Sequence, residues 1–89
     1  LARAAVAGRL AACAQVEGPL TSTYWWDGDV TTDQEYRITF KTDAEHAKAL
    51  IEHLETAHSY DTPEILVVPV DGGHQPYLDW VATETAATE

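Results

Sequence analysis

The chain has 89 residues, with 15 Asp and Glu against 5 Lys and Arg, a formal charge of −10. That balance repels phosphate backbones and anionic lipid, so neither nucleic acid nor a membrane is expected as a partner. A chain this short is read as one small domain, residues 1–89, whose own core would be marginal, which favours help from partner chains. The one cysteine, Cys13, allows no internal disulfide, and there is no run of about 18 apolar residues, so a soluble, reducing, cytoplasmic setting is expected.

The first stretch, LARAAVAGRLAACA, is rich in Ala and Leu and has no starting cap, so it reads as a helix entered partway along. Gly18-Pro19 then marks a bend or bulge, Thr21 to Trp26 is β-branched and aromatic, and Asp27-Gly28 is a hairpin turn signal. Beyond the turn, Tyr36, Ile38 and Phe40 alternate with Glu35, Arg37, Thr39 and Lys41, the pattern of a half-buried antiparallel strand. Thr42-Asp43-Ala44-Glu45 has capping-box spacing, and Ala47, Leu50, Ile51 and Leu54 recur at helical intervals up to about His58. Thr62-Pro63 ends that helix, and EILVVPV reads as a strand apolar on both faces, with Pro69 at an edge or bulge. Pro76 suits the first turn of a last helix that places Tyr77, Trp80 and Val81 on one side, and the end of the chain, residues 84–89, reads as a frayed tail.

Helix, strand, strand, helix, strand, helix is the order of an α+β sandwich, with helices on one face of a sheet. A split βαβ arrangement requires a further strand ahead of the first helix, because ILVVPV needs neighbours on both sides. That first strand is expected upstream of Leu1, in a chain that begins without Met. Hairpin arms of about 8 to 13 residues outrun the mean strand of roughly 5 to 6, and their unpaired edges are most simply covered by a symmetric neighbour.

Few side chains suggest chemistry. His46 and His53 lie about 10.5 Å apart along one helix, too far to share an ion, and both read as solvated; His74, in a Gly-rich turn, reads the same way. His58 sits in the last helical turn, with Tyr60, Asp61 and Glu64 close behind, and reads either as a residue complementing the helix dipole or as a ligand. Cys13, among alanines, reads as a small buried hydrophobe. Trp25 and Trp26 alternate, so one is expected in the core and the other at a surface, interface or ligand. Lys41 and Glu64 are candidates for a buried charged pair between neighbouring elements. The chain lacks a zinc HExxH, a phosphate-binding Gly-Lys motif and a Gly-x-Ser-x-Gly elbow, so it is not expected to be an enzyme.

GRLAACA, TSTYWWDGDV, EYRITFKT, HSYDTPEI and YLDW, in this order and spacing, resemble the CutA divalent-cation tolerance family over roughly Val6 to Thr83. The resemblance implies a ferredoxin-like βαββαβ fold with an extra C-terminal helix, its first strand missing here, assembled as a trimer through long hairpins. It also implies tolerance of copper and other divalent cations. The family's His-Pro-Tyr segment falls on His58 to Tyr60, with Ser59 in place of Pro, and its Pro-Glu falls on Pro63-Glu64. Some members carry a second His where this chain has Ala57, and a metal-associated Cys on the absent first strand. The expected metal ligands are therefore His58, Asp61 and Glu64, a weak site for Cu(II) or another divalent ion with no organic cofactor. Trp26, Lys41, Tyr60, Glu64 and Trp80 are expected to line a cleft between subunits. The alternative is a regulatory trimer resembling the PII signalling proteins, taking a small molecule or a partner's segment in that cleft.

Overall fold

The computed structural model describes residues 1–57 and 62–86. Its elements are helix α1 (Ala2–Ala7), strands β1 (Cys13–Trp26) and β2 (Asp29–Lys41), helix α2 (Ala44–Ala57) and helix α3 (Gln75–Thr85). The result is an α+β fold built on one antiparallel hairpin.

The opening helix is much shorter than its composition suggests. The Leu10 N–H donates to Ala5 O (3.0 Å) and the Arg9 N–H to Val6 O (3.1 Å), the paired bonds of a Schellman end. Arg9 takes the left-handed position at φ 64, a conformation that costs a residue other than glycine about 1–2 kcal/mol. Its guanidinium is held by two contacts on α3, Glu84 Oε2 (2.7 Å) and Glu84 O (3.0 Å). Cys13 and Ala14 are consequently the first residues of β1, not the last turn of a helix, and Cys13 is half-buried.

The hairpin follows its sequence signals closely. Asp27 (φ 51) and Gly28 (φ 83) both occupy positive φ, as a two-residue primed turn requires. Register runs from Trp26↔Asp29 to Leu20↔Glu35, then shifts, and resumes at Glu17↔Arg37 and runs to Cys13↔Lys41. Gly18 and Pro19 thus oppose the single residue Tyr36, a β-bulge. The bulge switches which β1 residues share a face with Ile38 and Phe40: Ala14 and Val16 below it, Thr21, Thr23 and Trp25 above it.

Trp25 is 74% exposed and Trp26 63%, so neither is in the core. The expectation that one would be buried fails because the hairpin extends past the helices; the chain measures 47 × 27 × 19 Å and only the lower part of the hairpin is packed upon. The core cluster is Ala5, Ala11, Leu50 and Leu54, with Val6, Leu10, Phe40 and Ile65 against it.

Helix α2 starts at Ala44, and its cap is Asp43 rather than Thr42. Asp43 Oδ1 accepts the His46 N–H (2.9 Å) and also contacts His46 Nδ1, whereas Thr42 Oγ1 turns away to donate to Leu10 O (2.7 Å). His46 is therefore a half-buried partner of the cap, not a solvated side chain, and His53 is half-buried with Nε2 lacking a hydrogen-bond partner among the described residues.

The predicted strand EILVVPV does not form. The one sheet among the described residues is β1-β2, and residues 63–74 carry no regular element. A strand is defined by its ladder, and no neighbour lies alongside this segment. Ile65 still reaches the core cluster, but Leu66, Val67, Val68 and Val70 are 62–80% exposed. At the other end α3 continues through Thr85, which is completely buried and donates to Val81 O (2.9 Å), so the expected fraying at 84–85 is absent; residues 87–89 lie outside the described residues.

The chain exposes 7016 Å², whereas a folded monomer of its 9.8 kDa would expose about 5,200 Å². Its radius of gyration is 15.0 Å against about 12 Å for a globule of this length.

Candidate functional site

A concavity of about 2400 Å³ lies between β2 and residues 62–74. Its floor comprises Leu50, Ile51 and Leu54 of α2, and α3 contributes Tyr77, Leu78 and Val81. The pattern of the chain accounts for this shape: α2 turns its i, i+4 stripe inward under a sheet that is two strands wide, so apolar surface remains between β2 and the unpaired 64–70 segment.

Of the residues expected at a cleft, Trp26, Lys41 and Glu64 border this concavity. Trp80 does not. It lies 42% exposed beside Tyr77, with ring centroids 5.6 Å apart, and lines a separate shallow groove of about 590 Å³ with Val6, Cys13 and Arg3. His58, Tyr60 and Asp61 fall outside the described residues. Lys41 and Glu64 do not form the expected ion pair: Lys41 Nζ donates to Gln15 Oε1 (2.5 Å) on β1, the diagonal neighbour across the ladder, and Glu64 is exposed.

Polar side chains concentrate on the upper hairpin. Tyr24 Oη donates to Asp33 Oδ2 (2.7 Å), Ser22 Oγ to Glu35 Oε1 (2.5 Å) and Gln34 Nε2 to Thr21 Oγ1 (2.8 Å). These cross-strand bonds commit two of the carboxylates bordering the concavity to the hairpin itself. Among the described residues no three His, Cys, Asp or Glu side chains converge to hold an ion, so these residues of a single chain do not make a complete metal site.

Among the described residues, the carboxyl with a displaced titration lies elsewhere, at the start of α2. Burial raises the pKa of Asp43, but the bonds from the His46 ring and backbone, the charge of His46 and the Thr85 hydroxyl together outweigh it and hold the group below its ordinary 3.8. Sequence reading missed this cluster because Thr85 joins the local Asp43–His46 pair only when α3 packs against the start of α2.

Comparison with known proteins gives a consistent result. Residues 1–84 match the family model described as CutA1 divalent ion tolerance protein. The chain is 42% identical to the divalent-cation tolerance protein CutA of Pectobacterium atrosepticum over 91% of its length and 74% of that protein. It is 39% identical to the chloroplastic protein CutA 1 of Oryza sativa over 96% of its length, spanning 48% of the rice protein. The solved structure of the PII-like protein CutA from Nostoc, in apo form, superposes with a TM-score of 0.90 at 30% identity, covering 96% of this chain and 83% of that one. No helix among the described residues is long and apolar enough to cross a membrane.

Proposed function

The chain belongs to the CutA1 divalent ion tolerance family, and from that premise we propose that it acts as a homotrimeric, non-catalytic divalent-cation tolerance protein of the cytoplasm, with the ferredoxin-like βαββαβ core. The observation that carries the assembly is the apolar tip of the hairpin, where Trp25 (74%), Trp26 (63%) and Val30 (60%) are exposed in the single chain.

In this reading the cation site is shared. Glu64 supplies one carboxylate, His58 and Asp61 supply the imidazole and a second oxygen donor, and a neighbouring copy completes the set. One imidazole beside hard oxygen donors gives weak, poorly selective binding of Cu(II) or another divalent ion. The neutral imidazole is the ligand, so affinity is expected to fall as pH drops through roughly 6.5, the reference value for His.

Calorimetric titration of the protein with Cu(II) and Zn(II) tests this, with His58→Ala alongside. The substitution is expected to weaken binding by about tenfold or more while the trimer survives. Equal affinities in the two proteins would assign the cation to scattered surface acids. The second reading, a PII-like regulatory module, is supported by the likeness to the Nostoc structure. A nucleotide panel in the same titration distinguishes it, because saturable heat from a nucleotide without heat from the metals would favour that reading.

A further inference from the structure

The tip of the hairpin combines two properties that oppose each other in a contact between copies. Trp25, Trp26 and Val30 are mostly exposed, and Asp27 and Asp29, exposed as well, stand between them in the order WWDGDV. No Lys, Arg or His occurs between Arg9 and Arg37, so residues 18–36 carry the carboxylates Asp27, Asp29, Asp33 and Glu35 and no cationic side chain. Hydrogen bonding leaves that charge in place, because the donors to Asp33 and Glu35 are the neutral hydroxyls of Tyr24 and Ser22. The nearest cations in sequence lie below the bulge, where Arg37 pairs with Glu17 (3.6 Å) and Lys41 donates to Gln15.

We propose that ionic strength gates assembly at this tip, the apolar side chains favouring contact between copies and Asp27 and Asp29 opposing it until salt screens them. The inference rests on the homotrimer reading above. Each added copy brings its own formal charge of −10, and a net charge far from zero holds proteins apart. At about 0.01 M salt the screening length is about 30 Å, longer than the 27 Å breadth of the chain, so most carboxylates of one copy act on the tip of the next. At about 1 M it is about 3 Å, and only charges in direct contact still repel. Burial of the indoles does not depend on that screening.

Sedimentation equilibrium of the intact protein in sodium chloride tests the gate. Between about 0.01 M and about 1 M salt the midpoint concentration for dissociation is expected to fall by about a hundredfold or more, and by the same factor in potassium chloride. Asp27→Asn with Asp29→Asn keeps the turn, since Asn-Gly favours the same primed geometry, and should cut the change to about tenfold or less by tightening the low-salt assembly. Glu52→Gln with Glu55→Gln removes the same charge from exposed positions on α2 and should leave most of the change in place. The proposal is overturned if the Asn pair keeps the full dependence, which would be salting-out of the apolar tip, or if the α2 pair reduces it as much. An unaltered protein that is trimeric with one midpoint at every salt concentration would overturn the gate and leave the homotrimer standing. A mass of one chain even at the highest salt would overturn both.

Discussion

Replacing Trp25 and Trp26 together by Ser is expected to leave the chain folded but dissociate the assembly at micromolar concentration. Within one chain both rings are mostly exposed, 74% and 63%, and truncating exposed side chains ordinarily changes folding stability by no more than about 0.5 kcal/mol. In a trimer they become anchors at the tip of each hairpin, alongside Val30, the direct cross-strand partner of Trp25. Buried aromatic anchors cost about 2 kcal/mol or more each when truncated, so the pair should weaken association by roughly a thousandfold. Sedimentation velocity reads the assembly and circular dichroism the fold. An unchanged sedimentation coefficient would show that the tip lies outside every interface.

Gly18→Ala is expected to destabilise the protein by about 1–3 kcal/mol in chemical denaturation. Gly18 sits in the bulge at φ 143, a region that side-chain-bearing residues avoid, and an added Cβ would lie 2.8 Å from Tyr36 Cδ1 and 3.0 Å from Glu35 O. The ring can turn away, but the backbone oxygen is held in the ladder. Gly28→Ala supplies the contrast: it also has positive φ (83), yet a Cβ there meets nothing within 4 Å, so only the backbone cost of about 1 kcal/mol applies. Equal losses at the two positions would mean that the bulge is not tightly packed.

The features that local chemistry decides were the ones legible in the sequence. Asp27-Gly28, Gly18-Pro19 and the Leu50/Leu54 stripe each carry their structure in neighbouring residues, and each appears as expected, as turn, bulge and helix core. Features set by distant groups were not legible. Helix α1 stops at Ala7 because Arg9 accepts a left-handed backbone beside Glu84, 75 residues away, and no reading of Ala-rich composition contains that contact. The strand expected at EILVVPV requires a neighbour on its edge, and hydrophobic pattern cannot supply one. The candidate site divides in the same manner. Trp26, Lys41 and Glu64 reach one concavity, while Trp80 faces a different groove because α3 presents it towards α1. His58, Tyr60 and Asp61 lie outside the described residues.

The central claim is that the exposed hairpin is covered by other copies of the same chain. Multi-angle light scattering of the natural protein at micromolar concentration tests it most directly. A mass three times that of the chain, unchanged on dilution, is the expected result. A mass equal to one chain would contradict it.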